Sequence, residues 1–249
     1  MFSELIFTNC LVNASMNNNN DGSGYDERTI NSTNVIAKYS HRIRMNNSLR
    51  YVVSRLEFGN VLDFGCGSGF LVSKLNQIKT GCAIGYEPFM TDRFSENLPI
   101  YADYTNIIEN APYATITIFE VLEHVQWTEM PDIFAKFKEL LTPDGVVIVS
   151  VPIEIGPAVL LKEWNRVRNF GWKQRHRYKI LELIGTVAFG IAGYREDPDA
   201  PFLDHKGFDF RELIRFVKSK GWSVKILRYS PLPIKCWFGN SQVFFEMKP

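Results

Sequence analysis

From residue 58 onward, short apolar runs alternate with longer stretches whose apolar positions recur at helical spacing. The runs at 61–64, 82–86, 99–102, 114–119 and 146–151 read as strands, and the stretches between them as amphipathic helices. The clearest helix is 131–141, with Pro131 in its first turn and Ile133, Phe134, Phe137, Leu140 and Leu141 on one face. Pro143-Asp144-Gly145 then turns the chain into Val146-Val147-Ile148-Val149, apolar at every position as a strand buried on both faces requires. Such βα alternation predicts a doubly wound parallel sheet with ligands at the carboxyl ends of the strands. Upstream, Val35, Ile36 and Tyr39, then Leu49, Val52, Val53 and Leu56, predict two helices, the first capped by Ser32 or Thr33 and the second reaching Leu56. Their expected role is packing on the sheet, with Tyr39, His41 and Arg42 the side chains within reach of a ligand. Downstream, Asp209 and Glu212 begin a helix through Lys220 with Gly221 as its stop, and the alternating segments 222–229 and 241–247 follow as two strands.

The pattern is organised around Val61-Leu-Asp-Phe-Gly-Cys-Gly-Ser-Gly-Phe70. A buried strand runs into Gly65, Gly67 and Gly69, which turn the backbone sharply and leave room for a ligand. Phe70-Leu71-Val72 then opens a helix whose free N–H groups face the same space. The dinucleotide fingerprint needs a glycine where Phe70 stands, which disfavours a nicotinamide oxidoreductase. Glu87 ends the next strand, eighteen residues after Gly69, where an acid can accept both hydroxyls of a ribose.

These residues resemble the class I S-adenosylmethionine-dependent methyltransferases: Val61–Gly69 is similar to the first motif of that family, and Gly85-Tyr86-Glu87-Pro88 to its second. The resemblance covers about 58–152, and 205–248 more loosely. It implies a mostly parallel seven-stranded sheet with an antiparallel last strand. It also implies that Asp63, Gly65 and Gly67 hold the methionine end of the cofactor, Glu87 the ribose, and Pro88 and Phe89 the adenine, with Asp103 against the adenine amino group. Cys66, Tyr104, Phe119 and Glu120 fall at the same strand ends and complete the expected cofactor lining.

After the fourth strand comes Glu120-Val-Leu-Glu123-His124. If helix begins near Glu120, two carboxylates and an imidazole share one face at i, i+3 and i+4. They suit a divalent metal site, an acid–base cluster or a structural hydrogen-bond knot. Metal-dependent members of the resembled family, the ubiquinone-pathway O-methyltransferases and small-RNA terminal 2′-O-methyltransferases, carry a similar Glu-x-x-Glu-His set. In the RNA enzymes a later histidine completes it, here His205 of Asp204-His205-Lys206. The resemblance thus implies Glu120, Glu123, His124 and His205 as ligands for Mg²⁺ or Mn²⁺, and His124 or His205 as base. A hydroxyl acceptor needs its proton removed, so O-methylation is the expected reaction. A catalytically silent adenosyl-ligand-binding module is the alternative from another class.

Composition bounds the rest. With 249 residues and 45% hydrophobic content, 25–249 is expected as one domain, preceded by a flexible low-complexity arm at 1–24. Four cysteines without a CxxC pair suit reduced thiols in the cytoplasm, and no run of 18 apolar residues predicts a spanning helix. A net charge of +1 excludes wholesale polyanion binding, which makes a long RNA duplex a weaker partner than a small acceptor. The segment 153–204 is long for a connection and reads as a helical insertion on the acceptor side. Its first half interleaves Lys162, Arg166, Arg168, Lys173, Arg175, Arg177 and Lys179 with aromatic residues; its other half, Ile180 to Tyr194, is apolar. Two readings stand: a cap over the core, or a lid for an anionic, glycan or lipid-linked acceptor that touches a membrane surface.

Overall fold

The computed structural model describes residues 35–88, 98–170, 178–194 and 205–249; the expected arm, the Ser32 or Thr33 cap and Phe89 lie outside them. Chain order is α1 (Val35–Val53), β1 (Val61–Phe64), α2 (Phe70–Ile78), β2 (Ala83–Tyr86), β3 (Ile100–Tyr101), α3 (Tyr104–Glu109), β4 (Tyr113–Phe119), α4 (Met130–Leu140), β5 (Leu141–Pro152), α5 (Ala158–Phe170), α6 (Ile180–Phe189), α7 (Phe210–Ser219), β6 (Ser223–Ser230) and β7 (Gln242–Lys248). The seven strands form one sheet in the order β3-β2-β1-β4-β5-β7-β6. Every pair among β1 to β5 is parallel, and β7 enters antiparallel between β5 and β6. The doubly wound architecture with an antiparallel last strand is therefore the observed one.

β5 shows why the sheet is covered twice. Val147, Val149 and Val151 face a core built with Ile133, Phe134 and Phe137 of α4 and Leu213 and Val217 of α7. Val146 and Ile148 face the other side, with Val52 of α1 and Leu71, Val72 and Leu75 of α2. An all-apolar strand is stable only between two such layers. The Pro143-Asp144-Gly145 turn sits inside β5 rather than ahead of it: Leu141 pairs with Tyr113, and pairing resumes with Val146 opposite Thr115. Upstream, the two expected helices are one, because no glycine or proline interrupts 35–53. Asp209 caps α7 by accepting from the Arg211 N–H at 2.8 Å, and Gly221 (φ 83) follows its end. Glu212 instead faces Arg215 at 3.8 Å.

Phe137 lies fully buried, edge-on to Phe64 at 5.1 Å between ring centroids. Phe137→Ala is expected to cost about 3–5 kcal/mol, read as a lower urea midpoint at unchanged slope. A loss under about 1 kcal/mol would remove the α4 face from the core.

Candidate active site

β1 ends because the backbone at Gly65, Gly67 and Gly69 enters the left-handed region. At Gly69 a Cβ would stand 2.3 Å from Ile100 Cδ1, so this glycine lets β3 close on the start of α2. Gly67 is different: at φ 51, a Cβ there would meet nothing within 4 Å. Its surroundings are open, as a cradle for a ligand must be. The Gly67 N–H donates to Glu87 Oε2 at 3.0 Å, so the acid ending β2 faces the loop directly. Beneath, Asp63 is buried and accepts from the Thr117 hydroxyl at 2.6 Å. Burial pushes its pKa up to about 7, against the Thr117 bond and with help from the Glu87 charge. Cys66 stands beside Gly85, whose absent side chain leaves room for its sulfur. Burial, then Asp63 and Glu87, hold that thiol protonated.

The remaining lining residues are committed to neighbours. Pro88 follows Glu87 directly. Asp103 caps α3, accepting from the Thr105 N–H at 2.8 Å, a bond that holds its carboxyl below the usual range. The Tyr104 ring is edge-on to Tyr86 at 5.8 Å, with Lys136 Nζ 5.0 Å over its face. Phe119 packs on Phe244 at 6.2 Å. Arg42 is exposed, and the Tyr39 and His41 side chains lie outside the described ones.

At the end of β4 the expected helical face is not formed. Glu120 is left-handed (φ 56), and only a single 3₁₀ turn, Leu122–His124, follows. The Glu120 carboxylate engages Arg44 Nη1 (3.2 Å), Ser150 Oγ (3.2 Å) and Gln242 Nε2 (2.8 Å), which joins α1, β5 and β7. Glu123, His124 and His205 do come together, with one donor atom from each lying within 4.8 Å of the others. His205, also left-handed (φ 62), puts Nε2 3.1 Å from His124 Nε2. Glu123 Oε1 is 4.0 Å from His124 Nε2. Glu123 is fully buried, and no other described residue donates a hydrogen bond to either of its oxygens. Burial and the Glu120 charge push its pKa well up. His205 falls well below the ordinary histidine value through burial and the charges of His124, Lys162, Arg166 and Arg44, so its ring is neutral at pH 7. Both imidazoles remain about one-third exposed, so a small molecule can reach them above the buried carboxylate.

The family profile for a methyltransferase domain matches residues 39–181, which is more than half of the chain. The chain belongs to the class I S-adenosylmethionine-dependent methyltransferases. No protein of curated function matches it. It is similar in fold to a SAM-dependent methyltransferase from Archaeoglobus fulgidus at 12% identity and TM-score 0.54, covering 92% of this chain and 100% of that one. Another neighbour is magnesium protoporphyrin IX methyltransferase from Synechocystis PCC 6803 with bound SAH, at 14% identity, TM-score 0.51 and coverage of 96% and 98%. A third is the Burkholderia thailandensis 1,6-didemethyltoxoflavin-N1-methyltransferase, at 14% identity, TM-score 0.51 and coverage of 91% and 85%.

Three residues of this methyltransferase site carry no signal of their own in the sequence. Arg44, rather than Arg42, turns inward from α1 and reaches Glu120. Glu154, buried just beyond β5, accepts from Lys162 Nζ at 2.7 Å and lies 3.9 Å from His205 Nδ1. At that distance it faces the ring without a hydrogen bond. The rule that singles out Glu87 and Glu120, an acid directly after a strand, misses it because Ile153 intervenes after β5. Thr117 is the third, sitting beside Asp63 only because β1 and β4 are register neighbours.

Gly67→Ala is expected to keep the fold, with about 1–2 kcal/mol of backbone strain, and to weaken S-adenosylhomocysteine binding. Gly69→Ala should lose stability first, because its Cβ meets Ile100. Calorimetric titration and thermal melting separate the two, and normal ligand affinity in Gly67→Ala would displace the cradle. A further test concerns Asp63, whose pKa rises from 3.8 unfolded to about 7 folded. Between these values the folded state binds the extra proton, so this group's contribution to stability falls as pH rises from about 4 to about 7. The stability of wild type relative to Asp63→Asn should fall across that window; a flat difference would mean that Asp63 is ionised throughout.

Proposed function

We propose that this methyltransferase transfers the methyl group of S-adenosylmethionine to an oxygen of a small-molecule, sugar or lipid-linked acceptor, using Glu123, His124 and His205 to handle the acceptor. The observation that carries this reading is the buried Glu123 carboxylate, which receives no hydrogen bond from any other described residue, beneath two imidazoles whose Nε2 atoms lie 3.1 Å apart. Leaving such a group unsatisfied costs about 1–3 kcal/mol, which a purely structural role does not explain. Asp63, Gly65, Cys66 and Gly67 hold the methionine end of the donor, Glu87 the ribose, and Pro88 and Phe89 the adenine, with Asp103, Tyr104 and Phe119 at the margin. The sulfonium supplies an activated methyl group, and the chain's part is to hold the acceptor atom in line with it. Three described thiols, Cys66, Cys82 and Cys236, are free, as suits a reducing cytoplasm.

The same three residues fit a divalent cation. Bonds of about 2.1 Å put donors in adjacent coordination positions about 3 Å apart, close to the observed imidazole spacing. Two imidazoles and one carboxylate favour Mn²⁺ over Mg²⁺, and such an ion acts as a Lewis acid on an acceptor hydroxyl. Glu120, held by its own three donors, serves this reading by keeping another negative charge beside Glu123. Without a cation, His205 or His124 would take the acceptor proton; with one bound, both imidazoles would be its ligands and the acceptor proton would leave to solvent. RNA 2′-O-methylation is one outcome of the acceptor screen, as are nitrogen acceptors.

Glu123→Met removes the orphaned carboxylate at nearly constant volume. It should raise the stability of the metal-free protein by about 1–3 kcal/mol while abolishing methyl transfer. Dialysis against a chelator should remove wild-type activity, and Mn²⁺ should restore it and raise the melting temperature of wild type but not of Glu123→Met. Full activity in stripped protein would leave these residues an acid–base role. A destabilised Glu123→Met would make the carboxylate structural. Labelled-methyl transfer across RNA, sugar-nucleotide, phenol, amine and lipid-linked acceptors identifies the acceptor.

A further inference from the structure

The helices α5 and α6, inserted after β5, are arranged apolar side out. On α5 the exposed positions are Leu160, Leu161, Trp164 and Arg168, spaced i, i+1, i+4 and i+8, which is one stripe of a helix. On α6 they are Ile180, Leu181, Ile184, Ala188 and Phe189, the same spacing with one more apolar position at i+9. Leu161 is 64% exposed, Ile180 79% and Leu181 83%. The acids of both helices are instead tied down. Glu163 pairs with Arg166, and Glu182 holds Lys206 at 2.9 Å and the Lys179 and Tyr194 N–H groups at 3.0 and 2.7 Å. The exposed charges of the two helices and their flanks are cations: Arg168, stacked 5.7 Å over Trp164, and Lys179.

We infer that the outward face of α5 and α6 docks on an anionic lipid bilayer. Apolar stripes flanked by cations, with aromatic rings at Trp164 and Tyr194 suited to headgroup depth, are what an interfacial helix pair presents to such a surface. Charge selects the bilayer over another copy of this chain. Across a two-fold axis Arg168 and Lys179 would meet like charges, whereas an anionic leaflet attracts them. At 13 and 10 residues, both helices are too short to cross a bilayer, which takes about 20. They therefore lie on it. Lys162 of α5 contacts Glu154 behind His205, and Glu182 of α6 contacts Lys206 beside it, so docking brings the candidate site to the lipid surface. The inference goes beyond the transfer chemistry and does not depend on it.

The test is co-sedimentation of the full chain with phosphatidylcholine–phosphatidylserine vesicles and with pure phosphatidylcholine vesicles. Wild type should pellet with the first and much less with the pure vesicles. Leu181→Asp/Ile184→Asp should weaken binding about tenfold or more, and Arg168→Gln should weaken it on the anionic vesicles alone. Ile78→Asp, at an exposed apolar position on α2, should bind like wild type. S-adenosylhomocysteine titration reports folding of each variant, and Leu161→Asp replaces the double variant if that one fails it. Wild type left in the supernatant with both vesicles, equal binding to both, or an unaffected double variant would each overturn the inference. So would a wild-type dimer in light scattering that the double variant dissolves, because another copy would then own the face.

Discussion

The central strands β1, β4 and β5 have apolar cover on both faces, and that constraint determines where polar chemistry can occur. A carboxylate placed mid-strand must be buried, so acids gather where the strands run out: Glu87 after β2, Glu120 after β4, and Glu154 after β5. Parallel pairing brings those ends to one edge of the sheet. Asp63 is the exception inside β1, and it is tolerated because Thr117 donates to it from the neighbouring strand and its raised pKa lets it shed its charge.

The acids at this edge differ in how they are satisfied. Glu87 takes a backbone N–H, Glu120 takes three side-chain donors from three elements, and Glu154 takes a lysine that also holds the Ile153 and Ser241 carbonyls. Each of these bonds fixes geometry as well as charge. Glu120 in particular ties α1 to β5 and β7, so the N-terminal helix is part of the site's scaffold. Glu123 receives no hydrogen bond from any other described residue and faces the two histidine rings. An edge this well supplied with donors, around one carboxylate that receives none, is organised for something that arrives from outside.

Much of this was legible because it is local. The all-apolar Val146–Val149 run, the 131–141 stripe and the glycine spacing after Asp63 each carry their meaning within a few residues. What escaped depends on how elements are rotated and paired. The periodicity of α1 does not say whether Arg42 or Arg44 faces inward, because that follows from its docking on the sheet. Thr117 becomes a partner of Asp63 only through strand register. Glu120 opens a segment of helical composition, yet the Ser150 carbonyl accepts its N–H and its backbone turns left-handed. The apolar run of α6 was visible in sequence and the outward stripe of α5 was not, because composition cannot say which side of a helix has a neighbour.

Glu120 and His205 are the two residues other than glycine, among those described, with positive φ. An L side chain in that region costs about 1–2 kcal/mol, which glycine avoids and asparagine reduces. At both positions the backbone alone would prefer a different residue from the one the proposed chemistry uses. Selection on folding and selection on transfer therefore oppose each other at positions 120 and 205. A lineage released from the demands of transfer should drift there early, toward glycine or asparagine, while the glycine corner and the β5 core persist. A descendant with that signature would be a stable, ligand-binding pseudoenzyme, and those two positions would date the loss.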